Sequence, residues 1–250
     1  MIAADRLRRG GANSARGADR FVADALITTK KAGATGTLVL RADWAYYGHD
    51  VIAAALRHGA CFSITARQDK AVRKAISTIG ADAWMMIQYT DAIFDEEQQR
   101  WISDAQVAEI DYTAFTSRPK AQHVRARLIV RHVKDMNPNN QSELFTAYRY
   151  PAVFTNSPLP MLKAEKAHRA HAIVEQVIAD LENGPLAHLP SGHFWANSAW
   201  LVCATIAFNL TRAAGVLAST FHAKATTGTI RAQYSSASRS VRWTWSPTPS

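Results

Sequence analysis

The chain has 250 residues, 48% of them apolar and 20% charged, which suits one large globular domain or two small ones and excludes a disordered or fibrous class. Its formal charge of +9 and pI near 9.8 favour a polyanionic partner, nucleic acid before an anionic membrane. Two cysteines, Cys61 and Cys203, lie in apolar contexts without metal-knuckle spacing, so a disulfide framework is excluded and both read as buried free thiols of a reducing cytosol.

Residues 1–17 are rich in Arg and Gly and read as a flexible basic lead. No apolar segment of signal-peptide type follows them. The longest apolar run, "AWLVCATIAF" at 199–208, is too short to span a bilayer, so a soluble cytoplasmic protein without a membrane partner is expected.

From Ala18 to Lys31 the spacing predicts a helix with Phe21, Val22, Ala25, Leu26 and Thr29 on one face, stopped by Gly33 and Gly36. "TLVLRAD" (37–43) then reads as a buried strand that ends on a carboxylate, Asp43. A helix over 49–59, a strand over 61–67 and a helix over 70–80 follow. This strand–helix rhythm predicts parallel pairing in an α/β sheet, the first part of a core over 18–83.

After Trp84 the pattern changes to alternating and β-branched segments separated by turn residues. An antiparallel β-rich insertion is expected over 84–157. Within it, residues 112–134 hold no acid, but they hold Lys120, Arg125, Arg127 and Arg131. On a strand, Arg125, Arg127, Ile129 and Arg131 would share one face and leave Leu128 and Val130 on the other. That pattern is either a solvated basic face or a track for a phosphate backbone.

Helical signal returns over 158–217, first to Asn183 and then from about Phe194 to Val216. At roughly 100° per residue, one helix through 168–184 would place His168, His171, Glu175 and Glu182 in a polar stripe beside its apolar face. Three readings compete for it: an ordinary wet edge, a zinc site of His168, His171 and Glu175, and a Glu that joins a strand-end Asp around a hard cation. Residues 183–250 contain no acid, 218–250 read as a loose basic tail, and its end, "YSSASRSVRWTWSPTPS", has no helical period.

Two separated stretches, "LVLRADWAYYGHDVIAAALRHGACFSITAR" and "HRAHAIVEQVIADLENGPLAHLPSGHFWANSAWLVCATIAFNLTRAAG", with the insertion between them, resemble the bacterial DDE-type insertion-sequence transposases. The resemblance covers roughly residues 5–232. It implies a ribonuclease-H-like α/β core with an antiparallel β-rich insertion. It also implies two aspartates and a glutamate that bind two Mg2+ (or Mn2+) ions for DNA cleavage and strand transfer.

Asp43 matches the second aspartate and Glu175 the glutamate. The family surrounds that glutamate with Tyr, Arg and Lys; here those positions hold His168, His171 and Glu182. Lys120, Arg125, Arg127, Arg131, His168 and His171 become candidates for binding DNA, both element ends and target, and a homo-oligomer is compatible. Before Asp43 the chain offers Asp5, Asp19 and Asp24, none of them expected to end a strand. The core is therefore expected to be incomplete, with leading strands missing through N-terminal truncation, and a shifted reading frame near Gln233 would explain the tail. An inactive transposase by descent, a non-catalytic DNA-binding remnant and a zinc-dependent hydrolase are the three expectations, in that order.

Overall fold

Asp19 in its first turn and Lys30 and Lys31 in its last complement the dipole of α1 (Ala18–Lys31). The helix buries Ala18, Val22 and Leu26 and is followed by Gly33 at φ 91°. In this computed structural model the described residues are 1–13, 15–87, 94–95, 100–101, 105–134, 148–170 and 172–240. Contacts divide the chain into two units, one of residues 11–171 and one of residues 1–10 with 172 onward.

In the first unit the strands are β1 (Val39–Ala42), β2 (Cys61–Thr65), β3 (Met85–Ile87), β4 (Phe94–Asp95), β5 (Arg100–Trp101), β6 (Ala105–Ala114), β7 (Val124–Lys134), β8 (Tyr148–Arg149) and β9 (Ala152–Thr155). The helices are α1, α2 (His49–Arg57), α3 (Lys70–Ile76) and α4 (Met161–Arg169). The main sheet runs β1-β2-β9-β7-β6-β3, with β8 alongside β7. β1 and β2 are parallel, as the strand–helix–strand rhythm predicts, and every other pairing in that order is antiparallel. The arrangement matches a mixed α/β core carrying a β-rich insertion. Gly59, with φ 66°, makes the turn from α2 into β2 at no steric cost.

Side chains alternate with a period of two along each strand, so the sheet has two distinct faces. Phe62, Ile64, Leu128, Val130, Ala152 and Phe154 meet Val22, Leu26, Ile52, Val72 and Ile76 from α1, α2 and α3 in the main core. Val107, Ile129 and Val153 take the opposite face and pack under Ala164 of α4. On the core side burial pushes the Tyr47 phenol far above its ordinary value, with the neighbouring Tyr112 adding to the effect, so it stays protonated.

The helical stretch expected over 158–183 is two helices, because α4 ends at Ala170 (φ −70°, ψ 36°). α5 (Ala172–Glu182) belongs to the other unit, with α6 (Phe194–Ala218) and α7 (Thr227–Ser240). α7 replaces the first part of the expected loose tail and carries helix to Ser240; 241–250 lie outside the described residues. Thr226 Oγ1 accepts the Thr229 N–H, and Asp180 on α5 accepts both the N–H and the hydroxyl of Thr227. Ile230 is buried against Gly215 of α6.

A Cβ at Gly215 would lie 2.6 Å from Ile230 Cδ1 and 3.0 Å from the His222 carbonyl oxygen. Gly215→Ala is therefore expected to cost about 1–3 kcal/mol by overpacking, read as a lowered thermal midpoint; an unchanged midpoint would show that Ile230 can swing aside.

Three further expectations change. Residues 1–9 carry no regular structure, yet Ile2 is fixed by its backbone N–H and C=O to the Asn209 amide. Both cysteines are free, but Cys203 is exposed and Cys61 half-buried. The apolar run at 199–208 is part of the 25-residue helix α6, in which an 18-residue window reaches a mean hydropathy of 1.6, long and apolar enough by composition to cross a bilayer, with Trp195, Ile206, Leu210 and Leu217 exposed.

Candidate functional site

β1 ends at Ala42, and Asp43 follows it directly. Its carboxylate Oδ1 accepts the Ala45 N–H at 2.9 Å and caps the short 3-10 turn Trp44–Tyr46. The side chain is exposed, and among the described residues its second oxygen has no partner. Asp43 is thus both a cap and an oriented, open carboxylate at the carboxyl end of a parallel strand, where α/β sheets place their sites.

Glu175 stands in the first turn of α5, exposed and outside any ion pair among the described residues. Both are hard oxygen donors of the kind that suit magnesium or manganese. Asp43 belongs to the 11–171 unit and Glu175 to the other.

His168 is not on the stripe with Glu175. It lies on α4, buried, with Nδ1 2.9 Å from Ser63 Oγ and Nε2 3.1 Å from Thr65 Oγ1. Both ring nitrogens are engaged by β2 hydroxyls, so His168 is placed to hold α4 on the sheet and not to ligate zinc or meet a phosphate. His171 lies outside the described residues. Among the described residues no cluster of three or more His, Cys, Asp or Glu is present, so the zinc reading gains no support.

The basic face of β7 forms as the alternation predicts, but its charges are met within the chain. Arg125 pairs with Asp111 at 2.8 Å, and Arg127 with Glu109 at 2.9 Å. Both are diagonal partners across the β6–β7 ladder, whose register sets Arg125 opposite Thr113 and Arg127 opposite Asp111. Arg127 also donates to the carbonyls of Ser157 and Leu159. Arg131 reaches the buried Glu165 of α4 at 3.3 Å. Burial holds the Arg131 guanidinium below its ordinary value, and Glu165 opposes that shift.

Arg125 remains largely exposed, and Lys120, on the turn Lys120–Gln122, is exposed with no ion pair among the described residues. Of the four cations expected to bind DNA, Lys120 and Arg125 are the exposed ones. The turn that carries Lys120 is itself braced: Phe115 packs on Tyr47 and His49, and Arg118 lies 3.5 Å from Asp50. The His49 hydrogen bond, with Arg118 nearby, holds the Asp50 carboxyl below its usual range.

The family described as transposase DDE domain, group 1, matches residues 1–241. The chain belongs to the DDE transposases. No curated protein matches it. DNA transposition is the function of this family, DNA its substrate, and divalent metal its usual requirement. Asp43 and the glutamate helix carry the family signature. Two other groups of side chains carry no local signal. One is the buried Glu165 with Arg131 and Arg169. The other is a set of arginines and aromatics near the ends of β1 and β2, where Arg67 lies 6.0 Å over the Trp44 ring.

Proposed function

We propose that this transposase domain binds the DNA of its element, that Asp43 and Glu175 are two of its metal-binding carboxylates, and that the chain as it stands binds DNA without cleaving it. The carrying observation is Asp43, an exposed carboxylate fixed by one oxygen at the end of β1 with the other open. Two magnesium ions, when bound, would supply the charge that activates water and stabilises a leaving 3′ oxygen. Asp43 and Glu175 would hold them, and Lys120 and Arg125 would contact the phosphate backbone. The cytoplasm, alongside the nucleoid, is the compartment this work requires.

The non-cleaving part of the proposal has its own support. Asp19 and Asp24 lie on α1, and Asp5 lies in residues without regular structure, so none of the three ends a strand among the described residues. Losing one ligand of a multi-carboxylate site normally removes most activity.

The test uses a supercoiled plasmid carrying the sequences that flank the coding region. Magnesium-dependent nicking and salt-sensitive binding are measured for the native chain, Asp43→Ala and Glu175→Ala. Equal binding by all three without nicking is expected. Nicking by the native chain that both variants lose would show a complete catalytic site and overturn the non-cleaving part. Failure of the native chain to bind DNA would overturn the whole reading.

A further inference from the structure

Two cavities meet at the carboxyl ends of β1 and β2. The smaller, about 370 Å³, is lined by Trp44, Thr65, Arg67 and Gln68 and by Pro151 and Ala152 at the start of β9. The larger, about 900 Å³, takes in Gln68, Arg73, Trp84, Arg131, Arg149 and Tyr150. Gln68 and Pro151 line both, so the two form one furrow. It starts at Trp44, the residue after Asp43. Gln68 donates to the Tyr150 carbonyl and ties its two walls together.

Its chemistry is specific. No carboxylate lines either cavity among the described residues. Arg67 lies over the Trp44 ring, Arg73 is an exposed residue of α3, and Arg149 is exposed at the end of β8. Between these cations the aromatic rings are already organised. Tyr150 stacks on His132 at 5.1 Å and 7°, and Trp84 packs against both at 5.3 and 6.1 Å. Burial holds the His132 ring below its ordinary pKa, so the stack is uncharged at neutral pH.

Rigid aromatic faces flanked by arginines suit flat heterocycles joined by phosphates. In a duplex those base faces are covered by their neighbours, and they become reachable only when a strand is unpaired. We propose that the furrow binds an unpaired stretch of DNA strand leading from Asp43, with bases against Trp84 and Tyr150 and phosphates on Arg67, Arg73 and Arg149. The proposal rests on the reading of Asp43 as the reacting end of the site, and it adds a substrate state, the single strand.

The test needs no catalysis. The whole chain is titrated, in EDTA, against labelled oligo-dT of about 12 nucleotides, the scale of one single-strand site, and against a blunt duplex of the same length. Tyr150→Ala and the double variant Arg73→Ala with Arg149→Ala are compared with Lys74→Ala, an exposed cation on α3 outside the furrow. Circular dichroism confirms that each variant is folded. Both furrow variants are expected to weaken oligo-dT binding about tenfold or more, while duplex binding stays within about twofold. The double variant also lowers the salt slope for oligo-dT by roughly 1.4.

Unchanged oligo-dT affinity in both furrow variants would overturn the proposal, as would equal losses for strand and duplex, or a matching loss in Lys74→Ala. Displacement of oligo-dT by an equal concentration of poly-glutamate peptide would assign the furrow to an acidic peptide instead. Duplex binding without strand binding removes the furrow alone; binding of neither removes the reading of Asp43 with it.

Discussion

Glu165→Ala is expected to lower the stability of the 11–171 unit by about 3 kcal/mol or more, as removal of one partner from a buried ion pair commonly does. Glu165 has its side chain 3% exposed and receives Arg131 at 3.3 Å and Arg169 at 2.6 Å on the same oxygen. Arg131 keeps 21% of its side chain exposed, so without Glu165 it cannot regain full hydration. The change also loosens α4 from β7 beside the Ala164, Ile129 and Val153 contacts. Urea unfolding should show a lower midpoint at unchanged slope. Glu165→Gln keeps the volume and one acceptor and should fall between. A loss under about 1 kcal/mol, the range of exposed pairs, would show that water reaches the pair and that α4 is held by other contacts.

Phe154→Ala should cost about 3–5 kcal/mol, the range for truncating a buried aromatic. Phe154 is fully buried on β9, and its ring meets Phe62 at 5.2 Å, Tyr112 at 5.7 Å and Tyr47 at 6.1 Å. No single neighbour can fill the space that three rings define. Phe154→Leu should cost less than half as much, since most of the apolar volume stays. Thermal unfolding of both variants checks the ranking; a leucine variant as damaged as the alanine one would mean that ring geometry matters more than volume.

Much of the fold was legible because local rules and tertiary packing agree. The α1 boundaries, Gly59 and the Leu128/Val130 alternation follow from period and turn chemistry alone. The misreadings share one physical cause, contacts distant in sequence. The period through 168–184 continues across the break at Ala170, with no Gly or Pro to mark it, while His168 just before the break is bonded to Ser63 and Thr65 of β2, more than 100 residues earlier. α7 has a Ser- and Thr-rich sequence of modest helix propensity, and Asp180, 47 residues earlier, caps it.

The candidate site divides the same way. Asp43 announces itself by ending a strand, whereas the carboxylates that neutralise Arg125 and Arg127 depend on a ladder register that no local pattern reveals. Trp84, His132 and Tyr150 come from three separate segments, so their stack had no local signal.

The antiparallel pairing of β9 with β2 has a mechanical consequence. It makes the insertion and the strand that carries Asp43 parts of one hydrogen-bonded plate, with Phe62 and Phe154 packed beneath the joint. A pull applied at Lys120 or Arg125 would move Asp43 as one body instead of bending a hinge between them. Excising 84–157 would not leave a smaller working core, because it would strip β2 of a neighbour and open an edge of bare backbone amides. The inserted strands are therefore bearing members of the frame.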